Sequence, residues 1–248
     1  MPAQTRQIMG MPITIEIVDP SASDAGEEAF AWFEAVDARF SLYRPDSEIT
    51  ALNSGRVVGA NASPAMREVL ALAARTKDQT NGYFNICRPQ GDLDPSGIVK
   101  GWAIQKAAQI IRRSGARDFY VDAGGDIQSA GKNSLGAAWS IGIRNPFEPT
   151  EIVKKIAPQG LGVATSGSSA RGQHIYNPHA PAEPISAIVS LTILGPDVLE
   201  ADRFATAAFA MGEAGLGFIE RLDGFEAYCI DAGRRAAWTS GFAAFVIP

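Results

Sequence analysis

The sequence predicts an α+β fold, a single domain spanning residues 1–248 of mixed, largely antiparallel sheets with helices packed on them. Three observations carry that expectation. Stretches such as ITIEIVD (13–19) alternate apolar and polar residues as half-buried strands do. Stretches such as GEEAFAWFEAVDARF (26–40) repeat their apolar residues at helical spacing. The two kinds are interspersed without the regular strand-helix alternation of a doubly wound parallel sheet, and no repeat or low-complexity linker divides the chain.

In chain order, 13–19 reads as a strand, and Ser21 or Ser23 is placed to cap the helix over 26–40. SLYRPDSEITALNSG (41–55) is polar and rich in turn formers, so it predicts a loop with one short helical turn. Pro64 opens a helix over 64–78, where its missing N–H costs nothing. TNGYFNICRPQGDLDPSGIVKG (80–101) is long and irregular, yet its aromatic and apolar content argues for an ordered, functional segment. A helix over 98–115 ends at Gly115 with arginines in its last turn, as the helix dipole prefers. The stretches 118–131 and 138–146 read as strands joined by a glycine turn, and 160–178 starts as a strand that dissolves into a Gly/Ser loop. A strand over 185–194 leads through Pro196 into the helical run VLEADRFATAAFAMG (198–212). A helix over 214–222 and strands near 225–230 and 235–247 complete the chain.

Composition narrows the function classes. The 248 residues are 46% hydrophobic and 20% charged, ample for a sizeable core. A formal charge of −5 with no Lys/Arg block argues against a general nucleic-acid surface. No run approaches the ~18 apolar residues of a membrane span. The start MPAQTRQIMGMPITIEI lacks the pattern of a secretory leader, so the chain reads as cytoplasmic, or as periplasmic if a leader has been removed. Cys87 and Cys229 are distant and read as reduced, partly buried thiols. With only His174 and His179, a multi-histidine metal site is nearly excluded, so a metal here would need oxygen ligands, as Mg²⁺ does.

Four stretches carry candidate chemistry. Asp202 and Thr206 lie four apart in their helix and share a face. That spacing fits either an ordinary solvated helix face or half of a divalent-cation site. VDAGGD (121–126) places two acids around paired glycines, which reads as a tight turn with solvated carboxylates or as a close backbone approach to a ligand. ATSGSSARG (164–172) offers hydroxyls and N–H groups to a phosphate, although it is neither a P-loop nor a dinucleotide fingerprint. His174 is a short-listed general base. A hydrolase triad with Ser166, Ser168 or Ser169 lacks the Gly-x-Ser-x-Gly elbow.

Taken together and in order, these pieces resemble the ApbE family, the Mg²⁺-dependent FAD:protein FMN transferases, over nearly the whole chain. IMGMPITIEI (8–17) is similar to the family's opening Met-Gly-Thr strand, and FSLYRPDSEITALNSG (40–55) to its Phe-Ser-x-Tyr block. TNGYFNICRP (80–89) and LDPSGIVKGWAIQKAAQII (93–111) resemble its Thr-Asp-Gly-Ala-Phe and Ile-Ala-Lys-Gly-Tyr-Ala blocks. VDAGGDI (121–127), ATSG…HIYNP (164–178) and EADRFATAAFAMG (200–212) match three further blocks, with Asn177 where the family usually has Asp.

The resemblance implies residue roles. Met9, Tyr43, Tyr83, Phe84, Asn85, Asp94, Lys100 and Ile175 would contact FAD. The Gly97 carbonyl, Asp202 and Thr206 would hold Mg²⁺, and His174 would act as base. The implied fold is that of the ApbE flavin transferases. The implied reaction moves FMN from FAD, as substrate, to a Thr or Ser hydroxyl of a flavin-accepting partner protein, releasing AMP. Two alternatives share the scaffold: a Mg²⁺-dependent FAD pyrophosphatase, and a non-catalytic FAD-binding protein.

Overall fold

The chain opens with a hairpin, β1 (Gln4–Ile8) and β2 (Met11–Ile17), paired antiparallel from Gln4↔Ile15 to Ile8↔Met11. Its two turn residues, Met9 and Gly10, both have positive φ (56° and 71°), the conformation that a two-residue hairpin turn demands. The computed structural model describes residues 3–19, 22, 24–168 and 175–248. The candidate caps Ser21 and Ser23, and the candidate base His174, lie outside the described residues.

Helices come next. α1 (Asp24–Phe40) buries Phe30, Phe33 and Val36 along one stripe. α2 (Glu48–Asn53) is the short turn expected in 41–55, capped by Ser47, whose hydroxyl accepts from the Thr50 N–H at 3.2 Å. α3 (Pro64–Gln79) starts on Pro64 with Ser63 as its cap. The irregular stretch that follows is tied by Thr80, whose Oγ1 donates to the Thr76 carbonyl at 2.7 Å and accepts from the Phe84 N–H at 3.1 Å. α4 (Ser96–Arg113) then runs to a stop at Gly115, where φ is +93°.

The remaining strands are β3 (Phe119–Ala123), β4 (Asp126–Ala130), β5 (Ile141–Arg144), β6 (Ile152–Ile156), β7 (Gly162–Gly167) and β8 (Ile188–Gly195). α5 (Val198–Ala210) and α6 (Ala214–Ile219) precede β9 (Glu226–Asp231), β10 (Ala236–Trp238) and β11 (Val246–Ile247). An eight-stranded sheet has the order β1-β2-β3-β4-β7-β8-β9-β10, and a three-stranded sheet the order β11-β6-β5. Every ladder in both sheets is antiparallel.

Helices cover one face of the large sheet, and the small sheet covers part of the other. β8 accordingly is buried along nearly its whole length. Leu191 and Ile193 pack with Ala201, Phe204 and Ala205 of α5, whereas Leu194 joins Ile141, Ile143 and Ile156 of the small sheet. A strand covered on both faces has no solvated side to carry polar alternation.

The sequence expectations need four corrections. The strand at 13–19 is shifted to 11–17, and the polar edge strand β1 precedes it. The stretch 118–131 is two strands, folded at Gly124 and Gly125 (φ 63° and 98°). β6, IVKKI, carries two lysines and shows no apolar alternation that would mark a strand. The run 235–247 is broken by a 3-10 turn at Phe242–Phe245, which drops the Phe242 ring into the core.

Candidate active site

The site is built where α4 crosses α5. Gly101 of α4 faces Asp202 of α5 so closely that a Cβ at Gly101 would lie 2.7 Å from the Asp202 Cβ and 2.8 Å from the Val198 carbonyl oxygen. Across this crossing the Gly101 N–H donates to Asp202 Oδ2 at 2.7 Å. One turn further along α5, the Thr206 hydroxyl donates to the Gly97 carbonyl at 3.3 Å, not to a carbonyl of its own helix. Asp202 is only 4% exposed. The solvated-face reading of Asp202 and Thr206 is therefore overturned: helix packing closes water out from Asp202, and Thr206 is half-buried with its hydroxyl turned to α4.

Asp126 is the residue that sequence reasoning undervalued. The expected solvated turn at 121–126 proves to hold a carboxylate that is 1% exposed. Its Oδ1 accepts the Thr165 N–H at 3.0 Å, its Oδ2 sits 2.5 Å from Lys100 Nζ, and the carboxyl lies beside that of Asp202. Lys100 Nζ also stands 3.8 Å from Asp202 Oδ1. Burial raises the Asp202 pKa to about 7; Lys100 and the Gly101 N–H oppose the rise, and the neighbouring Asp126 carboxylate adds to it. The signal available in the sequence was Gly124-Gly125, which brings β4 back at the β3 end with Asp126 first in line.

The three candidate ligand atoms are all oxygens: one carboxylate, one hydroxyl and one backbone carbonyl. Among the described residues no group of three or more His, Cys, Asp or Glu side chains is placed to hold a metal. The donor set that does converge suits a hard divalent cation completed by phosphate oxygens and water.

Around this crossing opens a cleft of about 1270 Å³. Gly97, Lys100, Asp202 and Thr206 line it, as do Tyr83, Phe84, Asn85, Asp94 and Ile175. Nine of the twelve expected site residues thus share one cavity. Met9 and Tyr43 do not line it: Met9 packs at the β1–β2 turn against the main core, and Tyr43 is 98% exposed in the α1–α2 connection. Asp94 is held by an ion pair with Arg88, and its Oδ1 accepts the Ser96 N–H at 3.0 Å where α4 begins. Asn85 Oδ1 accepts the Cys87 N–H at 3.1 Å, which shapes the turn beside it. The Tyr83 ring meets the His179 ring edge-on, 4.6 Å between centroids. His179 Nε2 bonds the Asn81 carbonyl at 2.8 Å, fastening the 175–184 segment over the Tyr83 turn.

A second polar pair, also unforeseen, lines the same cleft. The Tyr120 hydroxyl donates to Asp122 Oδ2 at 3.1 Å, and Asp122 Oδ1 accepts the Gly125 N–H at 2.8 Å. Burial pushes both pKa values up, more strongly for Tyr120, beside the Asp122 carboxylate. The two cysteines lie elsewhere and differ: Cys229 is buried, whereas Cys87 is exposed rather than partly buried as expected.

Comparison with known proteins decides the family. The ApbE family model matches residues 9–88 and 87–229. The chain belongs to the ApbE family. Among curated relatives named FAD:protein FMN transferase, that of Vibrio cholerae is 31% identical over 134 residues, 50% of this chain and 40% of the relative. That of Escherichia coli K12 is 25% identical over 184 residues, 67% and 52% respectively, and that of Haemophilus influenzae 24% over 250, 75% and 72%. The chain spans about half the length of the first two. In solved structures the likeness of fold extends end to end. The ApbE protein of Thermotoga maritima superposes with a TM-score of 0.86 over 99% of both chains at 18% identity. The flavin transferase ApbE of Vibrio cholerae gives 0.83 over 98% of both at 23%. The α+β ApbE fold expected from the sequence is the one observed. Among the described residues, no helix of this ApbE chain is long and apolar enough to cross a membrane.

Proposed function

We propose that this ApbE-family chain transfers the FMN part of FAD to a Thr or Ser hydroxyl of a partner protein, with AMP as the leaving group. One observation carries the reading: at the α4–α5 crossing the Thr206 hydroxyl meets the Gly97 carbonyl and Lys100 stands by Asp202, all four residues lining a cleft large enough for a dinucleotide. The curated relatives named FAD:protein FMN transferase support the same reaction.

In this reaction the acceptor Oγ forms a bond to the FMN phosphorus, the P–O bond to the AMP phosphate breaks, and AMP departs with the electron pair. The barrier lies in alignment and in charge on the transferring group. Asp202 Oδ1, the Thr206 hydroxyl and the Gly97 carbonyl would hold Mg²⁺. A cation bound there would polarise the phosphoryl oxygens and neutralise their charge.

The chain's own residues supply the rest. Lys100 brings a fixed positive charge, and Asp126, 2.5 Å from its ammonium, keeps that charge aimed into the cleft. Tyr83, Phe84 and Ile175 offer apolar surface to the rings of the dinucleotide, and Asn85 and Asp94 offer polar contacts at the same wall. His174, six residues after Ser168 at the end of the β7 segment, would take the hydroxyl proton.

The test incubates the protein with FAD, Mg²⁺ and a flavin-accepting protein, following AMP, free FMN and the partner's mass. A mass gain equal to FMN is expected. AMP with free FMN would make the chain a pyrophosphatase, and tight FAD binding with neither product would make it a flavin carrier.

A further inference from the structure

One wall of the cleft is not used by the flavin reading. Ser140, Ile141, Gly142, Ile143 and Arg144 all line it. Side chains along a strand alternate between its two faces. Five consecutive lining residues therefore mean that β5 turns its edge to the cavity, as well as the face it shares with Ile152 and Lys155 of β6. β5 ends the three-stranded sheet: it pairs with β6 on one side and, among the described residues, with no strand on the other. An open strand edge presents unpaired N–H and C=O groups, a template for another extended chain.

The side chains at this edge specify what kind of chain. In the β5–β6 ladder Gly142 pairs with Lys155 and, past a register shift after Ile143, Arg144 with Ile152; Arg144 alternates back to the Gly142 face of β5, so Lys155 and Arg144 stand on one face, both lining the cleft. Diagonal neighbours of this kind lie about 7–8 Å apart, a span that one extended peptide covers in two or three residues. Arg144 Nη1 donates to the Pro149 carbonyl at 3.3 Å and touches Asp122 only through longer-range charge; neither cation forms an ion pair among the described residues. Between them Ile152, 43% exposed, lies where a Gly142 side chain would be, 2.9 Å from that position, and offers an apolar foothold. The cleft volume, about 1270 Å³, exceeds the roughly 300–1,000 Å³ of an ordinary single-ligand pocket. There is room for a second substrate beside a dinucleotide.

We propose that the β5 edge, with Arg144 and Lys155, is the dock for the acceptor: an extended, acidic segment of the partner protein that carries the Thr or Ser to be modified. This rests on the transferase reading above. Added as a strand, the segment places every second side chain toward the cleft, and acidic residues beside the acceptor meet the two cations. That arrangement sets the register of the hydroxyl.

The test uses synthetic peptides with one Thr flanked by Asp, Gln or Lys, together with the Asp peptide N-methylated at either set of alternate backbone positions. With FAD and Mg²⁺, the wild-type protein should flavinylate the Asp peptide with a kcat/KM about tenfold above that of the Lys peptide. The double variant Arg144→Gln/Lys155→Gln should lose that preference while its FAD dissociation constant stays unchanged. One set of N-methyl groups should block transfer and the other should not, because only alternate N–H groups face a paired strand. Equal labelling of all three flanks overturns the dock and leaves the transferase reading standing. A double variant with weakened FAD binding assigns the cations to the dinucleotide phosphates and also overturns it. Cleavage of FAD with no peptide labelled removes the transferase reading and the dock together.

Discussion

Gly101→Ala probes the helix crossing on which the site depends. Inside a helix, alanine is favoured over glycine by about 1 kcal/mol, so local propensity alone predicts a more stable protein. The added Cβ, however, would sit 2.7 Å from the Asp202 Cβ and 2.8 Å from the Val198 carbonyl oxygen. Both belong to the rigid α5 turn and not to a flexible side-chain end. Overpacking of this kind costs about 1–3 kcal/mol, leaving a net loss of up to about 2 kcal/mol. For a chain of this size that lowers Tm by up to about 8 °C. The shift also pulls Asp202 Oδ2 from the Gly101 N–H, now at 2.7 Å, and a displacement near 1 Å costs about a hundredfold in rate. Gly217→Ala is the control: in α6 its Cβ meets only Arg221 Nη1, at 3.8 Å, so it should gain up to about 1 kcal/mol. Melting curves and Mg²⁺ titrations of both variants decide the matter. A Gly101→Ala protein that melts at or above wild type with unchanged Mg²⁺ affinity would refute the argument.

Three further outcomes are expected. Asp202→Ala should abolish Mg²⁺ binding by calorimetry and Mg²⁺-dependent FAD cleavage while leaving the far-ultraviolet circular dichroism unchanged, since Lys100 keeps Asp126 as its partner; retained metal dependence would show that Asp202 is not a ligand. His179→Ala removes a 2.8 Å bond to Asn81 and an edge-on contact with Tyr83, together worth about 1–2 kcal/mol. FAD affinity should fall about tenfold, and His179→Gln should recover part of the loss through an amide donor; equal affinities in all three proteins would discount the fastening role. Burial pushes the Cys229 thiol up to about 11, so at pH 8 only about one in a thousand is thiolate. Iodoacetamide at that pH should alkylate the exposed Cys87 alone, with Cys229 reacting faster as pH rises toward 11; rapid labelling of two thiols in the native protein would contradict the buried placement.

Much of the molecule was legible in local pattern. Pro64 behind Ser63, the apolar stripe of α1, Gly115 after the last turn of α4, and the shared face of Asp202 and Thr206 all follow from spacing within a few residues. The ordered blocks of the ApbE resemblance supplied the site list, and nine of its twelve residues line one cleft. Polar strands were harder. β1 and β6 carry polar and charged residues, and only their hydrogen-bonded neighbours make them strands.

Burial was decided by tertiary structure alone. Asp202 reads the same in sequence whether water or α4 lies beside it, and the Gly101 N–H that reaches it is 101 residues away. Asp126 looks like a turn acid until β7 brings the Thr165 N–H against it and α4 brings Lys100. The open edge of β5 exists because the small sheet ends there, a property of how segments distant in the chain pair. Local chemistry sets which groups share a face, but the dielectric and the partners those groups meet are set by contacts between distant elements. That is why the sequence of this ApbE chain determined its helices, its turns and the identity of its candidate ligands. Only the folded packing of α4 on α5 decided that a buried carboxylate, a hydroxyl and a carbonyl would line one cleft.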